Sequence, residues 1–238
     1  EGHVGRGYII PVNAILDNGH NGLTVKDGTM RGVHRGADLS GVIIGNDHRL
    51  LTSSGPWPSS GHVVRNVHFT GFDLGIGTIS AADLYVLDNV IELGPLSYIG
   101  QSSFGMAIGD SADVSIEDNT IVCALSYDQW GILLWNGSRR VQIRRYARGN
   151  NIRGCEVGMG ISNSKDVKIF GNTVTDARAP VGAFSSSTLI WIKDSQDVAV
   201  TKNYFKNADY GIQAKNLSGA GSQYVDNRFC RVNYYFVT

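Results

Sequence analysis

Several absences narrow the field before any motif is considered. No apolar run approaches the roughly 18 residues of a membrane-spanning helix, so no membrane span is expected. The three cysteines form no CxxC pair, which removes the usual spacing for a cysteine-bound metal. Charge of one sign is not in excess: Lys+Arg and Asp+Glu stand at 21 each. Without a global field there is nothing to draw nucleic acid or an anionic membrane, and a charged ligand would need a local patch. Proline is scarce, at 5 residues, and long amphipathic helical patterns are hard to find. The chain does not open on Met and carries no signal peptide, so a processed or trimmed product is expected, secreted or displayed at the cell surface.

What is present is 30 glycines, many Asn, Asp and Ser, and short clusters of Ile and Val. That is the composition of short strands joined by tight turns. One phrase recurs: an apolar–x–apolar triplet, two polar residues, Asn, and a further strand. It reads LYVLDNVI over 84–91, VSIEDNTI over 114–121, VKIFGNTV over 167–174 and VAVTKNYF over 198–205. Weaker copies end at Met30, Phe69 and Phe229, and the copy starting at Val141 is interrupted before Asn150 and Asn151. With Asn89, Asn119, Asn151, Asn172, Asn203 and Asn227 as markers, the spacings are 30, 32, 21, 31 and 24. A constant phrase at variable spacing means that one loop per coil changes length while the strands do not. A second phrase, Gly–apolar–x–apolar–polar, lies between the markers, as in GMAIGD over 105–110, GILLWN over 131–136, GMGISN over 158–163 and GIQAKN over 211–216. One such coil cannot bury its own apolar face, but stacked coils share a continuous core.

The repeat resembles the pectin-lyase-like superfamily of right-handed parallel β-helices, from about Gly22 to the C-terminus. The expected fold is therefore an all-β, single-stranded right-handed parallel β-helix of about seven to eight coils, one domain over 1–238. A leucine-rich horseshoe is the alternative, but Leu is not the periodic residue. The resemblance implies that the marker Asn sits at the tight turn between second and third strands and bonds its counterparts in adjacent coils. Gly28 breaks the pattern, so the ladder should fail there. It also implies that a polysaccharide would lie on the outer face of the first strands, walled by the neighbouring loops.

Aligning the coils predicts which residues stack. Asp83, Asp113, Arg140, Asp166 and Asp197 precede each triplet, so Arg140 should relieve repulsion between Asp113 and Asp166. Arg144 should lie over Glu117 and Arg145 over Asp118. The Arg run over 139–153 is then either a basic patch for an anionic glycan or a set of inter-coil ion pairs, the second being expected. Cys123 and Cys155 should be neighbours in consecutive coils, within disulfide reach; buried thiols are the expected state and a disulfide the alternative. Cys230 has no evident partner.

The outward positions of the first strands give Ala107 and Gly109, Leu133 and Trp135, Gly160 and Ser162, Trp191 and Lys193, then Gln213 and Lys215, with Asp110, Asn136, Asn163, Asp194 and Asn216 at the strand ends. Gly160 and Ser162 should leave a trough between the Trp-bearing coils. Rings that cover sugar faces, beside cations and amides, suit a glycan; equally, Trp135 and Trp191 could simply cover lysine stems. Long loops contribute Tyr98, Gln101, Tyr127, Asp128, Gln129, Trp130, Asp176 and Arg178. Trp130, Trp135, Trp191, Gln213, Asp110 and Asp194 are the candidate substrate-binding residues. A second candidate, Asn46–Asp47–His48–Arg49, reads as base, acid and carboxylate anchor, or as a capped loop with a local ion pair. His20, His34, His62 and His68 are too dispersed for a metal site.

Three functions remain, of which lyase- or epimerase-like β-elimination chemistry on an acidic polysaccharide is the expected one and the other two are alternatives. A polysaccharide lyase or uronate epimerase removes the proton α to a uronate carboxylate; it needs a cation and a base, for which Lys193, Lys215, Arg178, Tyr127 and Asp128 are the candidates. A hydrolase needs converging carboxylates, whereas Asp110 and Asp194 lie three coils apart, about 14 Å. A non-catalytic glycan-binding or structural β-helix is the third. A polysaccharide is the expected partner, and no cofactor is expected, calcium being the one ion left open.

Overall fold

The computed structural model describes residues 12–17, 19–32, 39–45, 59–95, 102–124, 128–178 and 186–238. The 21 strands among them pair in parallel throughout and join into one sheet, wound as a right-handed parallel β-helix. The strands form three stacks. The first holds Val12–Leu16, Leu39–Gly45, Leu74–Ile79, Ser103–Gly109, Gln129–Trp135, Val157–Ser162, Thr188–Lys193, the last part of Tyr204–Lys215 and the end of Arg228–Val237. The second holds Ala81–Leu87, Ala112–Glu117, Arg139–Arg144, Lys165–Phe170 and Gln196–Thr201. The third holds Val90–Leu93, Thr120–Val122, Asn151–Arg153 and Thr173–Thr175.

Alternation fills the core. In Arg139–Arg144, Val141 and Ile143 are fully buried while Arg140 and Arg144 face solvent. The register stacks Val141 between Val114 and Val167, and Ile143 between Ile116 and Ile169. Ile91, Ile121, Ile152, Val174 and Phe205 make the matching buried column of the third strands. β-Branched side chains dominate because their single preferred rotamer packs on the pleat.

Polar ladders line the turns. Asn89, Asn119, Asn150, Asn172 and Asn203 each donate Nδ2 to the Oδ1 of the next ladder Asn, at 3.0, 3.0, 2.8, 3.1 and 3.0 Å. The backbone N–H of each donates to the same oxygen. The marker of the interrupted copy is thus Asn150 and not Asn151, which is exposed and pairs with Thr120 and Thr173 as an ordinary strand residue. The reason lies in the backbone. A left-handed residue precedes each ladder Asn, namely Asp88, Asp118, Gly171, Lys202 and Asp226, and in the interrupted copy Gly149 (φ 83°) fills that role. The ladder ends at Val67, whose N–H donates to Asn89 Oδ1 at 3.0 Å, with Gly28 in register beyond it.

A second ladder, of serines, escaped the repeat reading. Ser111, Ser138, Ser164 and Ser195 are buried at the turn after the first strand, and their hydroxyls receive N–H bonds from neighbouring coils or cap the carbonyls of their own turn. Cys123 and Cys155 are neighbours, and they form a disulfide (Cα–Cα 4.9 Å) rather than the expected pair of thiols. Parallel stacking brings their Cα atoms within bonding reach, so side-chain direction decides the bond.

His62 departs from the aliphatic pattern. It pairs with Leu84 and points inward, fully buried, and neither ring nitrogen makes a well-formed hydrogen bond among the described residues. Desolvation pushes its pKa below 6.5, against the opposing pull of Asp17 and a weaker backbone contact with Ser59.

Two outcomes follow from this packing. Asn119→Leu leaves buried donors and acceptors unpaired and should cost about 1–3 kcal/mol in urea denaturation, whereas Asn151→Leu should shift the midpoint little. His62 takes up a proton less readily when folded than when unfolded. Stability should therefore fall as pH drops below the unfolded value, about 6.5. In His62→Leu the loss of melting temperature between pH 7.5 and 5 should shrink; an unchanged pH dependence would show that His62 is not its source.

Candidate functional site

The Gly–apolar–x–apolar phrase sets the candidate face. Its apolar members, such as Ile132 and Leu134, are buried, which turns the intervening residues outward. The register places Ala107, Leu133, Gly160, Trp191 and Gln213 in one column. Trp135 lies beside Gly109, and Ser162, Lys193 and Lys215 continue that edge. The predicted columns are therefore those observed.

The trough expected at Gly160 is closed. The Trp130 indole lies against Gly160 so tightly that a Cβ there would overlap the ring. Trp130 meets Trp191 edge-on, centroids 5.7 Å apart with planes at 87°. Its Nε1–H donates to Asp128 Oδ1 at 2.7 Å. Asp128 also accepts from the Ser102 hydroxyl, and its own N–H donates to Glu156 Oε2 at 2.8 Å. Asp128, a candidate catalytic group, thus orients an aromatic wall. Its proximity to the wall was legible as Asp-x-Trp at a strand start, but the match between Trp130 and a glycine one coil away was not. At the other end Trp135 covers Gly109, where a Cβ would come within 2.7 Å of its Nε1.

Beyond Trp191 the face becomes polar. Lys193 and Lys215 are neighbours in register, and Lys193 Nζ lies 3.7 Å from Asp194 Oδ2. Asp194 Oδ1 accepts from Asn216 Nδ2 at 2.7 Å, and Gln213 Oε1 from the Thr188 hydroxyl at 2.8 Å. Asp110 accepts from the Ser80 hydroxyl at 3.1 Å. Asp110 and Asp194 both adopt left-handed backbone (φ 44° and 48°), as do Asn136 and Asn163 between them. Their chain position is explained by turn geometry, which Asp and Asn tolerate.

Arg178 is exposed on the turn after the third strands, its N–H bonded to Cys155 O at 3.1 Å. No hydrogen bond or ion pair among the described residues joins it to the lysine column. Tyr127, Tyr98, Gln101 and the loop with Asn46, Asp47, His48 and Arg49 lie outside the described residues.

Arg140, Arg144 and Arg148 of the Arg run make inter-coil pairs, the last with Asp88. Arg140 grips Asp113 with Nε and Nη2, both at 2.6 Å, and this holds the Asp113 carboxyl below its usual range. Arg144 Nε meets Glu117 at 2.9 Å. Arg145 does not lie over Asp118 as expected; its Nε donates to Ala147 O, while Asp118 accepts backbone N–H groups of the loop above it. The inserted loop residues carry the Arg145 head away from the register position.

With strands, ladders and face in place, comparison with known proteins is informative. A family model described as periplasmic copper-binding protein (NosD) matches the chain twice, over residues 8–178 and 57–237. The chain belongs to the NosD family. Two overlapping matches of one model are what a shifted register of similar coils produces. No curated protein matches the sequence. Among solved structures, the chain is similar to the A-module of the Azotobacter vinelandii mannuronan C-5 epimerase AlgE4, at 13% identity and TM-score 0.46, covering 94% of this chain and 73% of that one. It is also similar to PfbA, a surface adhesin of Streptococcus pneumoniae, at 12% identity and TM-score 0.28, covering 93% and 78%. Pre-mature bacteriophage phi29 gene product 12 matches at 13% identity and TM-score 0.35, over 91% of this chain and 43% of that one.

The NosD description raises the question of copper. Among the described residues no group of three or more His, Cys, Asp or Glu could hold a metal ion. Cys123 and Cys155 are consumed in a disulfide, and His62 is fully buried. His68 Nε2 faces Glu92 at 3.2 Å, and His20 Nδ1 lies 2.7 Å from Asp17 O. These donors do not converge, so the described residues do not fit a copper centre.

The Asp128–Trp130 contact carries a prediction. Asp128→Ala should leave the indole N–H without its acceptor and loosen the ring over Gly160. Tryptophan emission should shift to the red, with stability lowered by about 1–2 kcal/mol; an unchanged spectrum would show that the bond does not hold the ring.

Proposed function

We propose that the protein is a single β-helix domain, secreted or at the cell surface, that binds an acidic polysaccharide along the outer face of its first stack. The observation that carries this reading is the pairing in register of Lys193 and Lys215 beside Trp191. Two ammonium groups spaced by one coil, about 4.8 Å, can each meet a carboxylate of an extended uronate chain. Trp191 offers a ring surface for a sugar face, and Trp130, clamped by Asp128, holds Trp191 from the side. Trp135 and Gln213 extend the face toward either end. A parallel stack suits a polymer because both repeat along one axis. Rigid strands also keep the groups in place before the ligand arrives, lowering the ordering cost of binding.

Uronate epimerisation or elimination is a second reading of the same residues. Lys193 would neutralise the carboxylate, and Lys215, Arg178 or Tyr127 would take the α-proton. Its support is the adjacency of the two lysines; calcium could add to carboxylate neutralisation but has no cluster of ligands among the described residues. Glycoside hydrolysis is less well supported, because Asp110 and Asp194 sit in turn positions three coils apart.

The test is titration with polymannuronate, polyguluronate and polygalacturonate oligomers, with cello-oligomers as neutral control. Binding should favour the uronans and weaken with salt. Lys193→Ala/Lys215→Ala should lose at least ten-fold, and Trp135→Ala/Trp191→Ala should weaken every glycan that binds. Full binding in both double variants would eliminate this face. Absorbance of unsaturated uronate, or a changed epimer ratio by NMR, would select the catalytic reading, and its absence the binding one.

A further inference from the structure

The interrupted repeat builds a feature that no other described coil has. From Ile143 to Asn150 the chain takes seven steps, where Ile116 to Asn119 takes three. The extra residues form a loop in which Arg144 through Arg148 are all exposed. Tyr146 is 83% exposed, the most exposed of the large hydrophobic side chains described. A single exposed ring is ordinary; what sets this one apart is the loop that holds it.

The loop is held in shape. Asp118, one coil below, accepts the backbone N–H groups of Ala147 at 2.9 Å, Arg148 at 2.9 Å and Gly149 at 2.7 Å. Successive N–H groups converging on one carboxylate make an anion nest, here filled by the protein's own side chain. Burial opposes the charge on Asp118, yet these N–H bonds outweigh it and hold its carboxyl below the usual range. Arg145 Nε ties back to Ala147 O at 2.9 Å, and the Arg145 stem rests on Gly171. Tyr146 is thus presented on a braced loop between two arginines.

The surroundings carry net positive charge, with Arg65, Arg144, Arg145, Arg148 and Lys202 set against Asp88, Glu117 and Asp118. Arg65 and Arg148 share one acid, Asp88, at 4.0 and 3.5 Å. Asp118 is spent on the loop backbone. Lys202 lies 5.6 Å from the centroid of the partly exposed Phe170 ring, in the coil beyond. Positive charge with Tyr and Arg at its centre is the composition of a protein-binding hot spot.

We propose that the Arg145–Gly149 loop is a docking knob for an acidic protein segment, which sets carboxylates beside Arg145 and Arg148 and closes an apolar wall over Tyr146. The site lies on the turn between second and third strands, away from the lysine face, and does not depend on the polysaccharide reading. The preformed loop loses little entropy on binding, so Asp118 acts as a positioning residue that touches no partner.

The test selects a display library of random twelve-residue peptides on the intact protein and counter-selects on the Tyr146→Ala/Arg148→Glu variant. Enriched peptides should be rich in Asp and Glu, and their affinity should fall at least ten-fold in either single variant and with added salt. Asp118→Ala should also weaken binding while keeping every contact side chain, and Asp118→Glu should restore part of it. Circular dichroism melts would confirm that each variant remains folded, and uronan titration should be unchanged in the Tyr146 and Arg148 variants. Failure to enrich acidic peptides over the counter-selection, or equal affinity for wild type and Tyr146→Ala, would overturn the proposal. So would a sulfated polysaccharide that binds with the same loop dependence when no peptide does.

Discussion

The asparagine carboxamide at the second turn does three things at once, and the rest of the helix is arranged so that it can. Its oxygen accepts both the N–H and the side-chain amide of the preceding ladder Asn, while its own amide reaches a carbonyl one coil back, as from Asn119 to Val86 and Asn150 to Ile116. These groups are buried, so any coil that failed to bring its Asn into line would leave several of them unpaired. The requirement fixes where each coil must turn. Length variation is pushed elsewhere, into loops that can leave the helix and return. The Arg145–Gly149 loop does so one residue ahead of Asn150, and the ladder passes beneath it unbroken.

Tight turns impose a second condition. Each corner needs a residue in the left-handed region, which for side chains other than glycine favours Asp and Asn. This accounts for Asp83, Asp113, Asp166 and Asp197 at one corner and Asp110, Asn136, Asn163 and Asp194 at another. Stacking then brings like charges together. Arg140 occupies the same left-handed position (φ 51°) and faces Asp113, so one basic residue offsets the repulsion that the turn rule created. A column of carboxylates on such a scaffold is therefore weak evidence for catalysis, because the backbone alone would select it.

Membership of the NosD family settles the repeat but not the chemistry. The described histidines and cysteines are scattered or consumed, while aromatic and cationic groups gather on the first stack. The same scaffold can present several surfaces, since each outward column is free of the core. The lysine face and the Tyr146 loop use different strands and different corners, so a substitution on one need not disturb the other.

By itself the sequence determined the fold and the registers of the uninterrupted coils. Alternation and repeat fix which residues point inward, so the columns Leu133–Gly160–Trp191–Gln213 and Lys193–Lys215 followed from alignment alone. It did not determine which of two adjacent asparagines enters the ladder, because that depends on the left-handed turn at Gly149 and not on residue type. Nor did it show that Trp130 fills the space over Gly160, that Asp128 clamps Trp130, or that Cys123 and Cys155 are bonded. Register is a property of the backbone repeat and is written along the chain. Side-chain direction across coils is decided by packing between residues some 30 positions apart, such as the 32 separating the two cysteines, and exists only once the coils have stacked.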